Sequence, residues 1–445
     1  MSRLLYSVVI IALLPWTLVY LWWRSRRQPE YLEHWGERFG VFPPAPREPA
    51  YEETGASQVL RLPPEGGLRA AGSSREGVIW IHAVSVGETR AAQPLVAALR
   101  RRYPARPILF THMTPTGRAT SETLFGDEVE RVYLPYDAPW AVRNFLGRFR
   151  PAVGLIMETE LWPNLIAACR AGNVPILLVN GRLSERSARR YDRLRSLTRR
   201  ALASLDAVAA QGEEDARRLR QLGARAPVVL GNMKFDLEPP AAQLALGLEF
   251  RRRLGPRRTF LCASTREGEE ALILDAWPRD AKVLLVIVPR HPQRFGEVAA
   301  LAAARGFAVQ RRSDGGSVAA ATQVWLGDSM GEMFAYYAAC DLAFIGGSLL
   351  PYGSQNLIEP CAVGVPVLIG PSTYNFADAA KAALAAGAAR TVATAGDLVA
   401  SAHALLADEA LRQPMATAGR GFAARHRGAT ARTMELIERF IPAAR

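Results

Sequence analysis

The chain reads as an α/β protein with two Rossmann-like domains facing across a cleft, preceded by an N-terminal membrane-anchor helix. Three observations predict this. Short apolar runs alternate with longer amphipathic stretches from Val78 onward. The alternation pauses at FDLEPP, Phe235 to Pro240, and then restarts as a second series of similar length. At the N-terminus, the twenty residues from Leu4 to Trp23 carry no charge.

Size and composition agree. With 445 residues and 49% hydrophobic content, the chain is too long for one ordinary domain and suits two cores of about 150–200 residues each. A charged fraction of 22% is ordinary for a globular body and excludes disorder for most of it. Lys plus Arg number 55 against 42 Asp plus Glu, a formal charge of +13. No nucleic-acid recognition motif accompanies that excess, so nucleic acid is not an expected partner. An anionic membrane lipid or an anionic substrate fits it, and so does simple drift towards Arg. Cys169, Cys262, Cys340 and Cys361 show no metal or CxxC spacing and read as buried thiols in a reducing compartment.

The segment LLYSVVIIALLPWTLVYLWW spans about 30 Å as a helix, the thickness of a bilayer core. Tyr20, Trp22 and Trp23 suit an interfacial aromatic belt, and Arg24, Arg26 and Arg27 follow at once, which keeps the downstream chain cytoplasmic. A cleaved signal fits poorly, because the apolar run is too long and no A-x-A site follows. Pro15 leaves a half-buried interfacial helix open. The expected division is an anchor with its basic flank (1–27), a membrane-proximal segment and flexible loop (28–77), a first domain (78–234), a linker (235–255) and a second domain with closing helices (256–445).

Strands are expected at 78–84, 107–113, 131–136, 153–159, 175–180, 206–211 and 227–232, then at 259–264, 282–289, 323–327, 341–347, 366–370 and 390–393. Continuous apolar strands separated by helices, such as Glu88–Arg102, Ala138–Arg150 and Ser184–Leu205, predict parallel sheets covered on both faces. Ligands of such sheets sit beyond the carboxyl ends of the strands, so the chemistry belongs at the strand-to-helix turns. No GxGxxG, Walker A, HExxH or DxD pattern is present, which removes weight from dinucleotide, ATP, zinc and Mg²⁺ chemistry.

The turns carry the candidates. Glu88 opens the helix after the first strand, in SVGE. Burial there raises its pKa and makes a general base, whereas a helix N-terminus alone lowers it. Glu158 and Glu160 close the very apolar strand VGLIMETE, where an unpartnered carboxylate is costly; a cap is the bland reading. Arg118, in TPTGR, and Arg182, in NGRLS, are substrate contacts or helix-start chemistry. Lys234 lies just past a strand end and either reaches the ligand or is a solvated lysine. In the second series, Ser264 and Thr265 end the first strand, and Pro289 and Arg290 end the second, where Arg suits a phosphate. Met330, Gly331 and Glu332 open a helix. Asn356, Leu357, Ile358 and Glu359 open another, and its Glu suits a ribose diol.

These motifs, in this order, resemble the 3-deoxy-D-manno-octulosonic acid (Kdo) transferases of lipopolysaccharide synthesis. The resemblance rests on WGERFG (35–40), HAVSVGET (82–89), TPTG (114–117), VYLPYD (132–137), LIMETELWPN (155–164), GRLSERS (181–187), GNMKFD (231–236), PRHPQRF (289–295), GDSMGEM (327–333), FIGGSL (344–349) and NLIEP (356–360). It covers nearly the whole chain outside 43–77. It implies a GT-B, metal-independent, inverting glycosyltransferase with no cofactor, using CMP-Kdo as donor and lipid IVA as acceptor at the cytoplasmic face of the inner membrane. It implies Glu88 as base and Glu158 and Lys234 as transition-state stabilisers. It implies CMP on Pro289, Arg290, Met330, Gly331, Glu332 and Asn356 through Glu359. Another GT-B enzyme using a UDP-sugar on a lipid acceptor, or a non-catalytic sugar-nucleotide-binding scaffold, stands as the alternative.

Overall fold

A computed structural model of the protein describes residues 1–26, 28–43, 77–279 and 282–441. The loop expected at 43–77 lies outside these residues from 44 to 76. The chain forms two compact units, one of residues 1–236 with 428–445 and one of residues 237–427.

The first unit holds a sheet of β1 (Ile79–His82), β2 (Ile108–His112), β3 (Glu130–Tyr133), β4 (Val153–Met157), β5 (Ile176–Gly181), β6 (Ala207–Ala210) and β7 (Val228–Val229). All pairings are parallel, in the order β3-β2-β1-β4-β5-β6-β7. The second holds β8 (Arg258–Thr265), β9 (Val283–Pro289), β10 (Val309–Arg311), β11 (Val324–Leu326), β12 (Leu342–Ile345), β13 (Val367–Ile369) and β14 (Ala389–Thr391), also parallel, in the order β10-β11-β9-β8-β12-β13-β14. The order reverses between β1 and β4 in one sheet and between β8 and β12 in the other, the switch points at which such sheets take ligands. Each expected strand is present. β10 escaped the sequence reading because Val309-Gln310-Arg311 is a short, partly exposed edge with no apolar run.

The central strands are buried on both faces, as their unbroken apolar sequences require. Side chains of successive residues leave the first sheet on opposite sides. Trp80, Leu109 and Ile156 enter one core cluster, and Ile81, Phe110 and Leu155 enter another. Gly154 is a packing requirement, because a Cβ there would lie 2.7 Å from the Trp80 ring.

The helices that frame the site are α1 (Arg3–Ser25), α2 (Val86–Ala91), α3 (Gln93–Arg102), α4 (Pro115–Phe125), α5 (Pro139–Phe149) and α6 (Pro163–Ala171). The single helix expected over Glu88–Arg102 is two, broken at Ala92, where Pro94 lacks the N–H that continuity needs. That expected over Ser184–Leu205 is likewise two, Glu185–Asp192 and Arg195–Ala203.

Two boundaries differ from the sequence reading. The helix Ala241–Leu254, placed in a linker, is part of the second unit, with Phe250 fully buried against Trp325 and Tyr336. Residues 428–445, placed in the second domain, return to the first. Asp236 accepts the Gly428 N–H at 2.6 Å and the Thr430 N–H at 2.5 Å, and Ile437 enters the same apolar cluster as Ile79 and Ile81. A single carboxylate at the unit boundary thus caps the closing helix Ala429–Glu438.

Gly247 gives a stability test. A Cβ there would lie 2.6 Å from the Ala338 Cβ and 2.9 Å from the Ala335 carbonyl oxygen, whereas one at the helical Gly296 would meet nothing. Gly247→Ala should lower stability by about 1–3 kcal/mol. Gly296→Ala should leave it unchanged or raise it by up to about 1 kcal/mol. Denaturant midpoints of the two variants check this, and equal shifts would contradict the packing.

Candidate active site

In the first unit the turn after β1 folds back on its own glutamate. The Glu88 carboxylate accepts the Val84 N–H at 2.7 Å and the Ser85 hydroxyl at 3.0 Å. The sequence left burial and the helix N-terminus competing, and burial prevails. Desolvation, reinforced by the negative charge of Glu158, raises the Glu88 pKa to about 7, against the lowering effect of its two hydrogen bonds. A carboxyl group poised at neutrality is matched to accepting a proton near pH 7.

The turn after β4 supplies the second carboxylate. Glu158 adopts a left-handed backbone conformation, φ 54°, immediately after the last strand residue. Lys234 donates to Glu158 Oε1 at 3.0 Å, with both side chains largely buried. The solvated-lysine alternative therefore falls away. Lys234 is carried on the turn Met233–Asp236, and that turn is held by Asn180, whose Oδ1 accepts the Met233 N–H at 3.0 Å. Asn180 sits where the β5–β6 register shifts, with φ 53°. The bulge turns its side chain out of the strand alternation, and Asn tolerates this conformation better than most residues. Sequence reading quoted Asn180 only as part of NGRLS. Its place in an Asn-Gly pair at a strand end was the available signal.

Glu160 is a third carboxylate here, with its pKa raised to about 7 by burial. Its negative charge acts on Glu88, as does that of Glu158. Among the described residues no group of three or more His, Cys, Asp or Glu side chains is arranged to hold a metal ion.

Arg118 corrects the sequence reading. Its guanidinium is committed to Glu37 at 3.1 Å and lies over the Tyr133 ring. Glu37 is itself buried and accepts the Tyr133 N–H at 2.7 Å. Arg118 therefore pins the WGERF turn to the edge strand β3. Arg182 accepts the Thr159 hydroxyl through its carbonyl and so ties the β5 turn to the β4 turn.

The second unit repeats the logic at the ends of β8, β9, β11 and β12. Ser264 has φ 54° at a register shift between β8 and β9, a further bulge at a strand end. Thr265 is a second correction. It is buried, its hydroxyl donates to Glu270 at 2.7 Å, and Glu270 pairs with Arg294 at 2.7 Å. That side chain is structural, while its carbonyl accepts the Arg290 N–H at 3.0 Å and places the residue after Pro289.

Glu332 is tied bidentately by Arg312, at 3.0 and 2.9 Å, and accepts the Ser329 hydroxyl. These bonds fix the 329–332 turn, in which Gly331 takes φ 79° with open space where a Cβ would sit and Met330 is exposed. Asn356 is locked by its own turn. It donates to Glu359 Oε1 at 3.1 Å and accepts the Ile358 N–H at 3.0 Å. The Leu357 and Ile358 side chains are core, at 0% and 2% exposure, so only their backbone can meet a ligand.

Sequence reasoning passed over Glu269. It is fully buried and accepts the N–H groups of Arg266, Gly347 and Leu349 at 2.9, 2.6 and 3.0 Å. One carboxylate thereby sets the β8 turn against the β12 turn. In sequence it is one of three nearby glutamates in REGEE, and nothing there marks which one turns inward.

A family model described as 3-deoxy-D-manno-octulosonic-acid transferase (kdotransferase) matches residues 33–237. The chain is 44% identical to a 3-deoxy-D-manno-octulosonic acid transferase of Bordetella pertussis over 451 residues, 98% of this chain and 99% of that one. It is 34% identical to the Haemophilus influenzae protein of the same name over 450 residues, 99% of each. A solved glycosyltransferase from Rickettsia africae aligns with a TM-score of 0.55 over 83% of this chain and 100% of that one, at 13% identity, a likeness of fold.

The Glu158–Lys234 pair is testable by itself. A double-mutant cycle with Glu158→Gln and Lys234→Met should show a coupling of about 1–3 kcal/mol in unfolding free energy, since either single change strands the other polar group. Additive single effects would mean that the two side chains do not meet in solution.

Proposed function

The chain belongs to the family of Kdo transferases of lipopolysaccharide synthesis, and from that premise we propose that it moves Kdo from CMP-Kdo to a hydroxyl of lipid IVA, with inversion at the anomeric carbon. The observation that carries this reading is Glu88. A carboxyl group raised to about 7 beside the Glu158–Lys234 pair is a base next to a fixed cation, which is what an inverting glycosyl transfer needs at its acceptor end.

Glu88 takes the proton of the attacking hydroxyl as the bond to the Kdo anomeric carbon forms. The bond from that carbon to the CMP phosphate breaks, and the electron pair leaves with the phosphate. Lys234, oriented by Glu158, stabilises negative charge as it shifts. In the second unit, Arg290 meets the departing phosphate, helped by backbone N–H groups of Met330, Gly331 and Glu332. The Asn356–Glu359 turn holds the ribose through the Glu359 carboxylate. Pro289 sets the direction of Arg290, and Ser264 lies at the adjoining strand end. CMP is already an anionic leaving group, and arginine, lysine and amides suffice for it, so we propose a reaction without a metal ion or cofactor. Arg118 and the Thr265 side chain are left out of this assignment, being committed to Glu37 and Glu270.

An acylated, phosphorylated acceptor resides in a membrane and is anionic. The apolar α1 and the net charge of +13 suit such an acceptor. The proposal places α1 as the anchor and both units on the cytoplasmic side of the inner membrane, against anionic lipid.

Glu88→Ala should reduce transfer by about 10²–10⁴-fold with CMP binding nearly unchanged, as measured by product mass spectrometry and calorimetry. Full activity in that variant would exclude the base role. Because the base works only when deprotonated, kcat/KM should rise with pH through about 7 and fall below it. Stability carries the opposite sign. The folded chain holds this proton more tightly than the unfolded chain, so ionising Glu88 costs stability as pH rises towards 7. A profile flat from pH 5 to 9 would remove Glu88 from the rate equation.

Transfer from CMP-Kdo to lipid IVA should also persist in EDTA, and CMP should compete where UDP does not. Strict dependence on added Mg²⁺, or preference for UDP, would point to a different glycosyltransferase chemistry.

A further inference from the structure

We infer that α1 lies in the plane of one membrane leaflet, along the surface of the first unit, and does not cross the bilayer. This rests on the reading of α1 as a membrane anchor and goes beyond it. A helix of 23 residues is about 34 Å long. If it crossed, one end would stand on the far side of the membrane, about a bilayer thickness from the unit. Both ends are instead bonded to that unit.

At the N-terminal end, the Met1 amino group donates to the Ser196 hydroxyl at 3.1 Å, and that hydroxyl donates back to the Met1 carbonyl at 3.0 Å. One turn further on, Ser7 is 8% exposed and donates to Asn164 Oδ1 at 3.0 Å. Asn164 is no chance partner. Its N–H donates to Asp137 at 2.9 Å, its amide group donates to the Asp137 carbonyl at 2.7 Å, and the Leu165 N–H donates to the same carboxylate at 2.8 Å. Asp137 is 1% exposed, so the docking point of the helix is a built polar cluster within the first unit. Within this cluster Asn164 Oδ1 takes its donor from Ser7.

At the C-terminal end, Leu21 is 2% exposed, and Arg24 donates to the hydroxyl of buried Tyr31 at 3.1 Å while lying over its ring. The chain then stays on the unit. Asn144 of α5 donates to the Gly40 carbonyl at 3.3 Å, and a Cβ on Gly40 would lie 2.6 Å from the Ala141 Cα. The segment that leaves α1 is thus fastened to the unit again by Gly40.

The outward side of α1 is apolar, with Leu4, Val8, Trp16, Val19 and Trp23 exposed. Trp35, Trp140 and Leu194 of the same unit are exposed too. Beside the helix runs a groove of about 930 Å³, lined by Arg3, Arg143 and Arg150 together with Ile11, Val142 and Leu146. Aliphatic walls beside guanidinium groups suit one occupant, an anionic lipid whose acyl chain follows the groove and whose phosphate meets the arginines. The immersed surface is therefore α1 with its groove, and the leaflet it enters is the one on the catalytic side.

The native cysteines are all buried, so a membrane-impermeant maleimide reports only introduced thiols. The full chain carrying Ser2→Cys, or Glu33→Cys as a control on the unit side, is expressed in a Gram-negative host. Neither variant should be labelled in intact spheroplasts, and both should be labelled once the inner membrane is opened. Labelling of Ser2→Cys in intact spheroplasts would show that the N-terminus has crossed, and would overturn the inference. So would labelling that needs detergent, which would put residue 2 inside the bilayer core. A chain that fractionates away from membranes would instead overturn the anchor reading itself, and this is seen before any label is added.

Discussion

In a sheet whose strands all run the same way, every strand-to-helix turn falls at one edge, and this constraint organises the rest of the molecule. Among the described residues each unit holds a sheet of seven such strands. Residues far apart in sequence therefore meet without any dedicated scaffold. Glu88, Glu158, Asn180 and Lys234 come from four turns of the first unit, and Ser264, Arg290, Gly331 and Asn356 from four turns of the second. The central strands are buried on both faces. The left-handed residues Glu158, Asn180 and Ser264 all sit at strand ends of this edge, where a well-packed sheet can hold conformations that are sparsely populated elsewhere.

Charge buried at that edge explains the division of labour among carboxylates. Glu158, Glu269 and Glu332 have each gained a partner: a lysine, three backbone amides and an arginine. Each of these ties one turn to another. Glu88 is held only by two hydrogen bonds within its own turn, and desolvation together with the neighbouring negative charge raises its pKa to about 7. Paired carboxylates build the edge, and the poorly paired one is available for chemistry. The two groups are the same residue type at the same kind of position, so the difference lies entirely in what surrounds them.

That is also where sequence reasoning reached its limit. Strand positions, the restart of the series and the turns that matter were readable, because apolar runs and Gly, Pro, Ser and Asn at their ends act through local rules. Motifs such as VSVGET and METELWPN then carried the family. Side-chain direction was not readable. Arg118 and Thr265 stand at strand-to-helix turns like the other candidates, yet one turns to Glu37, 81 residues away in sequence, and the other turns inward to Glu270. Glu269 and Glu270 are adjacent, and each is buried towards a different partner. The return of residues 428–445 to the first unit was hidden for the same reason. It depends on Asp236 accepting two backbone N–H groups nearly two hundred residues away, and no local pattern announces a bond of that kind.

The N-terminal helix shows how a local reading and a tertiary contact can disagree about function. By length and composition α1 can cross a bilayer, and the run of arginines after it fits that reading. A hydroxyl in hydrocarbon finds a partner most cheaply in its own backbone, and Ser7 has one in the Arg3 carbonyl at 2.9 Å. That one hydroxyl proton is shared with Asn164 Oδ1 at 3.0 Å, in a cluster whose other members are bonded to Asp137. A rigidly docked helix also serves a lipid acceptor better than a tether would. A flexible anchor confines an enzyme to the membrane, whereas a helix fixed along one face confines it in one orientation, and orientation is the larger part of what positioning contributes to a reaction between two held groups.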